Sequence, residues 1–366
     1  MYNQQVVMMK RYATKINIEK IYRISADAKV TLFDVKKRYP KISKLRGGLR
    51  LILPFTAYKF ISHRLDHLSE KQKLIWIDSP AKFSCKNTAL LFPPNVESNV
   101  AEELISELNP SWIHSIMTGI DRLSVIPGTT LVTNSRGIHS LRIAEFVMAV
   151  IFAFSKNLPE HINQGRNKIW KSLSSKMVRG ASIGIVGLGS IGKEIAKLAK
   201  LCGMVVWATR RKIVFNDFVD HLLPPEELQN MLREVDYVVI AVPLIGETIN
   251  LIGKAEIEMM KSTACLINVA RGAVVDEDSL YYALKKKFIR GACIDVFKDE
   301  KPLPKNNRFY KLKNLLITSF STYYSDDSKE QVMDLFFMNL ERFINGKPLI
   351  NLADKSQLTY QAEAFT

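Results

Sequence analysis

Three glycines near the middle of the chain have the spacing of a phosphate-binding turn. Residues 187–192 read GLGSIG, and they lie between the apolar run 182–186 and a one-sided apolar helix pattern that leads to a second run, 204–208. In such a unit the first glycine allows a tight turn, the second admits a pyrophosphate to the backbone, and the third lets helix and strand pack closely. The unit therefore predicts a dinucleotide site at the helix N-terminus. The expected phosphate contacts are Gly187, Gly189, Ser190, Ile191 and Gly192.

The end of the second strand indicates which dinucleotide binds. NAD-binding proteins carry Asp or Glu about 20 residues beyond the turn, whereas an Arg at that place can pair with a 2'-phosphate. This chain has Arg210 and Arg211 there, and the nearest acid downstream is Asp217. The two arginines favour NADP(H), with NAD(H) as the alternative. The competing explanation is that a basic chain places arginines on many exposed turns.

The glycine unit belongs to a long α/β alternation, in which short apolar runs fit buried parallel strands. Six strands are predicted for its sheet, at 182–186, 204–208, 237–241, 264–268, 291–295 and 315–318. An earlier series of runs predicts a second sheet, at 49–53, 73–77, 88–92, 112–117 and 130–133. The chain is therefore predicted to have an α/β fold with two doubly wound domains.

The order of these elements predicts the domain boundaries. Residues 1–48 form a basic N-terminal extension, residues 49–146 and 322–366 form a substrate domain, and residues 147–321 form the dinucleotide-binding domain. A long apolar helix at 140–155 leads from one sheet to the other, and a helix after Ser325 returns to the first domain. We expect the substrate to bind in the cleft between the domains.

Positive charge is concentrated in the extension. Residues 1–48 hold twelve Lys and Arg but only three acidic residues, out of a net charge of +16 for the chain. The remaining residues are mildly basic and show no basic stripe with interleaved aromatics, so no nucleic-acid partner is predicted. The extension matches a basic import peptide only in part. We therefore expect a cytoplasmic or mitochondrial location, with a nuclear address as a weaker third alternative.

Composition also argues against membrane and metal sites. The most lipid-like stretch, 146–154, is nine residues long, which is too short to span a bilayer. The four cysteines show no metal-ligand spacing, and we expect them to be small buried hydrophobes in a reducing compartment. No membrane partner and no metal ion are predicted.

Six ordered segments resemble the D-isomer-specific 2-hydroxyacid dehydrogenase family, with the glyoxylate and hydroxypyruvate reductases as the nearest type. They are 112–121 (WIHSIMTGID), 187–192 (GLGSIG), 243–248 (PLIGET), 266–277 (LINVARGAVVDE), 291–297 (GACIDVF) and 344–349 (INGKPL). The resemblance extends over 49–360. It implies two Rossmann-like domains, with the dinucleotide-binding domain inserted into a flavodoxin-like substrate domain. It also implies a homodimer, for which the 140–155 helix is the expected contact, although the sequence alone would also allow a buried interdomain helix.

The resemblance implies roles for the residues that would bind substrate. Arg271 would hold the carboxylate of a 2-oxo acid and polarise its carbonyl, which suits a planar, permanently charged fork at a strand end. A structural ion pair with Asp276 or Glu277 is the competing explanation. Backbone N–H groups of Thr118 and Gly119 would provide a second grip on the carboxylate, where a glycine admits close approach.

The resemblance also implies contacts with the cofactor beyond the glycine turn. Asp295 would orient the nicotinamide carboxamide, and a helix cap after a strand is its competing explanation. The further contacts are Val242, Pro243, Val269 and Ala270.

Two catalytic positions depart from the family pattern. Phe320 stands where the family has the histidine that exchanges a proton with substrate, and a phenyl ring cannot exchange one. Tyr323, Tyr324 or a bound water could serve instead. Glu300 would be the acid that supports the histidine, but Lys301 follows it where the family has proline, so an exposed turn acid is a competing explanation.

Two functions fit these residues. The first is an NAD(P)H-dependent reductase of a small 2-oxo acid, such as glyoxylate, hydroxypyruvate or a phenylpyruvate-like acid. The second is a catalytically impaired NADP(H)-binding protein that acts as a sensor or regulatory partner, which Phe320 and Lys301 favour. We favour the enzyme, because a pure binding protein has less need for a substrate arginine such as Arg271. Nucleic-acid binding through the extension is a third hypothesis with little support.

Overall fold

The computed structural model contains two compact units. The first comprises Met1–Arg136 and Ser325–Thr366, and the second comprises Gly137–Tyr324. The residues that the structure describes are 30–33, 50–54, 74–77, 88–92, 105–106, 109–121, 123, 126–298, 303–322, 326–344 and 346–354. Each unit is built on its own sheet.

The sheet of the first unit is mostly parallel. Its strands are β1 (Val30–Phe33), β2 (Arg50–Pro54), β3 (Leu74–Ile77), β4 (Thr88–Phe92), β5 (Trp112–Ser115) and β6 (Leu131–Asn134). Their order is β3-β1-β2-β4-β5-β6, in which β1 runs antiparallel to both neighbours and the remaining pairs are parallel. The five predicted strands are confirmed. β1 was not predicted, because it lies within residues 1–48, whose excess of Lys and Arg led to their interpretation as a basic extension.

The sheet of the second unit is entirely parallel. Its strands are β7 (Ser182–Val186), β8 (Val205–Thr209), β9 (His221–Leu223), β10 (Tyr237–Ile240), β11 (Cys265–Asn268), β12 (Gly291–Ile294) and β13 (Leu315–Ile317). Their order is β13-β12-β11-β10-β7-β8-β9. The six predicted strands are confirmed. β9 is an additional strand with only two apolar residues, and two prolines follow it directly. The chain leaves β7 towards β8 and returns to β10 on the other side. The end of β7 therefore lies at the switch point where ligands bind in such sheets.

Helices cover both faces of the second sheet. The helices are α1 (Ser140–Ser155), α2 (Leu158–Arg166), α3 (Ser190–Leu201), α4 (Leu228–Glu234), α5 (Lys254–Met259) and α6 (Glu277–Lys286), with α7 (Asp326–Ile344) in the first unit. Tyr237 and Val239 of β10 belong to a buried cluster with α1 and α3, whereas Val238 and Ile240 belong to a cluster with α4, α5 and α6. Alternate residues of one strand thus point to opposite faces, which explains why the buried strands are apolar throughout.

The cysteines and the helices can be compared with what the sequence led us to expect. Burial raises the pKa of Cys265 and of Cys293 to about 12, as expected for inert core thiols. Cys202 is half-buried, and Cys85 lies outside the described residues. No helix in the described part of the chain is long and apolar enough to cross a membrane. The role of α1 as a dimer contact stays a prediction.

A buried polar network stabilises the core of the first unit. Trp112 Nε1 donates to Thr133 Oγ1 at 2.9 Å, and the indole stacks on Phe336 of α7 with ring centroids 5.3 Å apart. The His114 ring lies between two hydroxyls, with Nδ1 2.6 Å from Thr133 Oγ1 and Nε2 3.3 Å from Ser135 Oγ. Because Ser135 Oγ donates to the carbonyl of Ser115, it can accept from Nε2–H. A neutral imidazole satisfies the whole network.

We expect this histidine to make folding sensitive to acid. Burial lowers the pKa of His114 to about 3, whereas an unfolded histidine titrates near 6.5. Between these values the unfolded chain binds more protons, so the free energy of unfolding should fall as pH drops from 6.5, by up to about 1.4 kcal/mol per pH unit. Denaturant unfolding between pH 7 and pH 4 should show a shallower pH slope for His114→Gln than for wild type.

The matched control is His161→Gln, which removes an exposed imidazole from α2. Its slope should equal that of wild type. An unchanged slope in His114→Gln would contradict the assignment of this acid sensitivity to His114.

Candidate functional site

The first position of the turn requires glycine for two reasons, its positive φ angle and the lack of room for a side chain. Gly187 follows β7 directly and has a φ of +100°, which residues with a side chain rarely adopt. A Cβ at this position would lie 2.7 Å from Val242 Cγ1 and 2.8 Å from the carbonyl oxygen of Ala241. The turn is also tied to the end of β8, because Leu188 N donates to the carbonyl of Thr209 at 3.0 Å. Val242 thus lies against the glycine turn.

The other two glycines combine close packing with an open face. A Cβ on Gly192 would lie 2.2 Å from the carbonyl oxygen of Gly187, so only glycine lets α3 approach the turn this closely. A Cβ on Gly189 would meet no heavy atom within 4 Å. Gly189 is the N-cap residue of α3, whose first turn carries no acidic residue and has no side-chain cap. The open face at these amides fits a pyrophosphate.

The predicted 2'-phosphate residues follow β8 at the same edge of the sheet. Arg210 is half-buried, and its backbone N donates to the carbonyl of Leu223 at 3.0 Å. The guanidinium of Arg211 is exposed and lies 4.0 Å from the carboxylate of Glu247. Glu247 belongs to the loop after β10, so an acidic group that was not predicted lies beside the cationic pair.

Arg271 extends from a tightly held loop after β11. Asn268 is 1% exposed; its side chain accepts from Ala270 N at 3.0 Å and donates to the carbonyl of Arg271 at 3.0 Å. A Cβ on Gly272 would lie 2.0 Å from the carbonyl carbon of Phe297. The backbone on both sides of Arg271 is therefore fixed. Asn268 was missed as a positioning residue, although a polar residue at the end of an apolar strand is a usable signal.

The carboxylates proposed as structural partners of Arg271 have other roles. Asp276 is the N-cap residue of α6 and accepts from Ser279 N at 2.7 Å. Glu277 accepts from Lys298 N at 2.6 Å, which joins α6 to the loop after β12. Each of the two acids thus binds a backbone N–H group. The predicted cofactor contacts Val269 and Ala270 are buried between β11 and Arg271.

Asp295 organises the segment that follows β13. The residue is 2% exposed, and its carboxylate accepts from Thr318 Oγ1 at 2.6 Å, Ser321 N at 3.1 Å and Thr322 Oγ1 at 2.8 Å. Its backbone carbonyl accepts from Phe320 N at 2.9 Å. Asp295 therefore binds the segment 318–322, whereas the competing explanation was a helix cap. Orientation of a carboxamide by Asp295 stays a prediction.

Phe320 is held at its position by these contacts. Its φ of 53° is left-handed, which costs a residue with a side chain roughly 1–2 kcal/mol. A hydrogen bond to a charged group contributes about 1.5–3 kcal/mol, so the Asp295 contacts outweigh that cost. The residue at the expected histidine position is thus part of an ordered turn.

The remaining predicted residues are in other parts of the chain. Thr118 and Gly119 lie in the first unit after β5, where Asn134 Nδ2 donates to the carbonyl of Thr118 at 2.7 Å and Ser115 Oγ donates to that of Gly119 at 3.4 Å. Pro243 follows β10, and its carbonyl accepts from Thr248 Oγ1 at 2.7 Å. Glu300, Lys301, Tyr323 and Tyr324 lie outside the described residues.

Comparison with known proteins gives a consistent result. Residues 148–322 match the family described as "D-isomer specific 2-hydroxyacid dehydrogenase, NAD binding domain". A protein of Korarchaeum cryptofilum named glyoxylate reductase is 32% identical over 259 residues, which are 68% of this chain and 77% of that protein.

Two solved structures share the fold over most of the chain. A D-isomer specific 2-hydroxyacid dehydrogenase family protein from Aeromonas salmonicida is 27% identical, with a TM-score of 0.68 over 82% of this chain and 96% of that one. A D-isomer specific 2-hydroxyacid dehydrogenase from Xanthobacter autotrophicus, in complex with NADPH and MES, is 25% identical, with a TM-score of 0.64 over 74% and 84% of the two chains.

The open face above Gly189 leads to a specific prediction. Gly189→Ala should fold with a loss of stability of at most about 1 kcal/mol, because alanine is a poorer N-cap residue than glycine. The added methyl group meets no protein atom, and the backbone φ of −83° suits alanine. The substitution should weaken dinucleotide binding by about tenfold or more, because the methyl group occupies the space through which the pyrophosphate reaches the backbone. Fluorescence titration with NADPH and NADH, together with thermal unfolding, measures both effects.

Gly165→Ala is the matched control, since a Cβ there also meets nothing within 4 Å but lies on α2. It should leave binding unchanged. Equal affinity of wild type and Gly189→Ala for both dinucleotides would show that the pyrophosphate binds elsewhere.

Proposed function

Because the chain belongs to the D-isomer specific 2-hydroxyacid dehydrogenase family, we propose that it reduces a small 2-oxo acid with NADPH. The observation that carries this proposal is the construction of the Arg271 loop, which Asn268 and Gly272 fix from both sides. A protein that only bound a dinucleotide would have less need for an arginine on a fixed loop after β11. The named relative is a glyoxylate reductase, which supports the same substrate class.

The guanidinium of Arg271 is the group proposed to bind substrate. Its Nη1 donates to the carbonyl of Ala270 at 2.9 Å. The remaining N–H groups of the planar fork can donate two hydrogen bonds to a carboxylate and can also polarise the adjacent carbonyl oxygen. Amides of Thr118 and Gly119 are proposed as the second grip. The bound nicotinamide supplies the hydride. The residues of this chain thus bind and orient the acid and stabilise negative charge as it develops on the carbonyl oxygen.

The proton must come from a group other than the residue at position 320. The backbone N–H of Phe320 donates to the carbonyl of Asp295. Its phenyl side chain has no proton to donate to a substrate. Loss of a positioned general acid lowers a rate by about 10²- to 10⁴-fold and leaves binding and hydride transfer in place. We therefore propose a slow reductase of glyoxylate, hydroxypyruvate or a related acid, in preference to an inactive dinucleotide sensor.

We propose NADPH as the preferred cofactor because two arginines follow β8. Arg210 and Arg211 follow the strand where an NAD-binding protein carries an acid. Either guanidinium can form charge-assisted hydrogen bonds with a 2'-phosphate. The Xanthobacter autotrophicus relative was solved with NADPH, which supports this assignment.

Substitution of Arg210 tests the cofactor preference. Arg210→Ala should raise the Kd for NADPH by about tenfold, because a charge-assisted pair with phosphate is lost, and should leave the Kd for NADH within about twofold. Arg233→Ala, at the end of α4, removes an arginine remote from this sheet edge and should change neither value. An equal change in both dissociation constants for Arg210→Ala would contradict a role in 2'-phosphate binding.

Turnover of NADPH with a panel of 2-oxo acids tests the reaction. Wild type should reduce at least one acid slowly, and Phe320→His should raise kcat by up to about 10²- to 10⁴-fold, since histidine supplies the missing acid and tolerates a left-handed φ better. Arg271→Lys should lower kcat/KM in both backgrounds while the Kd for NADPH stays unchanged.

Two outcomes of this experiment would favour the sensor. One is NADPH binding without any reduction by wild type, combined with a gain in Phe320→His. The other is unchanged kcat/KM in Arg271→Lys.

A further inference from the structure

An ion pair spans the glycine turn from one side to the other. The guanidinium of Arg211, after β8, lies 4.0 Å from the carboxylate of Glu247, after β10. Strands β8 and β10 are the two neighbours of β7, so their exit loops flank the turn at Gly187. A contact between side chains of these loops therefore bridges the place where the adenosine half of a dinucleotide enters.

The backbone beneath each of the two side chains is fixed. On one side, Arg210 N donates to the carbonyl of Leu223 at 3.0 Å. On the other, Thr248 is 9% exposed, and its hydroxyl donates to the carbonyl of Pro243 at 2.7 Å and accepts from Ile245 N at 2.9 Å. Movement of the side chains alone can make or break the pair, because their loops are anchored.

Charge makes this pair relevant to cofactor choice. A 2'-phosphate is an anion that can pair with the same guanidinium as Glu247, and the carboxylate also repels it. NADH has uncharged hydroxyl groups at the adenosine ribose, so it does not compete with Glu247 for a guanidinium. The Arg211 and Glu247 side chains are 63% and 76% exposed, so water and salt weaken their attraction. A competition of this kind changes an affinity by about two- to fivefold, which tunes a preference without abolishing binding.

We infer that Glu247 is a specificity-determining residue, which competes with the 2'-phosphate of NADPH for Arg211 and so limits the preference for NADPH over NADH. The inference rests on the proposed NADPH preference. Arg210 would be the constant phosphate ligand, because no acid is paired with it across the turn in the contacts of the described residues. Arg211 would be shared between the cofactor and Glu247.

Dissociation constants for NADPH and NADH in the full-length protein test this inference. Glu247→Gln removes the charge and keeps the shape, and it should lower the Kd for NADPH by about two- to fivefold while leaving that for NADH unchanged. The matched control is Glu258→Gln, which removes an exposed carboxylate lying 3.9 Å from Lys254 on α5. It should change neither constant. The gain in Glu247→Gln should also shrink at high salt.

A second arm shows whether Glu247 acts through Arg211. Arg211→Gln should weaken NADPH binding, and adding Glu247→Gln to it should give no further gain. A gain that persists in the double variant, an equal gain for NADH, or no gain in Glu247→Gln would each overturn the inference. If Arg210→Ala and Arg211→Gln both leave the ratio of the two constants unchanged, the proposed NADPH preference fails as well. If they change it and Glu247→Gln does not, only the role of Glu247 fails.

Discussion

Two close backbone contacts at glycines determine the geometry of the carboxyl edge of the second sheet. Gly192 brings α3 so close that a Cβ would lie 2.2 Å from the Gly187 carbonyl oxygen, and Gly272 packs equally closely on Phe297. Any side chain at these places would move a helix or loop outward by an ångström or more. Such a shift would carry the first amides of α3 away from a phosphate, or Arg271 away from a carboxylate. Hydrogen-bond geometry tolerates only a few tenths of an ångström, so both of the proposed binding roles would depend on these contacts.

The turn that contains Phe320 is held in place by hydrogen bonds to Asp295. Three donors converge on the Asp295 carboxylate, and none of them comes from the side chain of residue 320. Exchange of that side chain therefore leaves the turn intact. The left-handed φ is maintained by the neighbours, which also explains why a bulky aromatic residue persists in it. The hydrogen bonds that order this turn thus do not depend on which side chain residue 320 carries.

Local patterns predicted much of the second unit, and long-range pairing explains what they missed. The glycine turn, six buried strands and the arginines at strand ends each have a signal within a few residues. The partners of Asp295 lie 23 to 27 residues further along the chain, and no local pattern indicates them. The contact between Arg211 and Glu247 likewise depends on the strand order around β7. Strand β1 was missed because it lies in a strongly basic segment, and β9 because it has only two apolar residues before a pair of prolines.

The strand order separates two tasks along one edge of the second sheet. Arg210 and Arg211 follow β8, on one side of β7, whereas Arg271, Asp295 and Phe320 follow β11, β12 and β13 on the other side. Adjacent strands lie about 4.8 Å apart, so β8 and β11 are separated by about 14 Å. That separation exceeds the Debye length of about 8 Å at physiological salt, so charges at the two ends interact weakly. A change of charge next to Phe320 is therefore expected to have little electrostatic effect at Arg210 and Arg211, and a change at these arginines little effect at the ends of β11, β12 and β13.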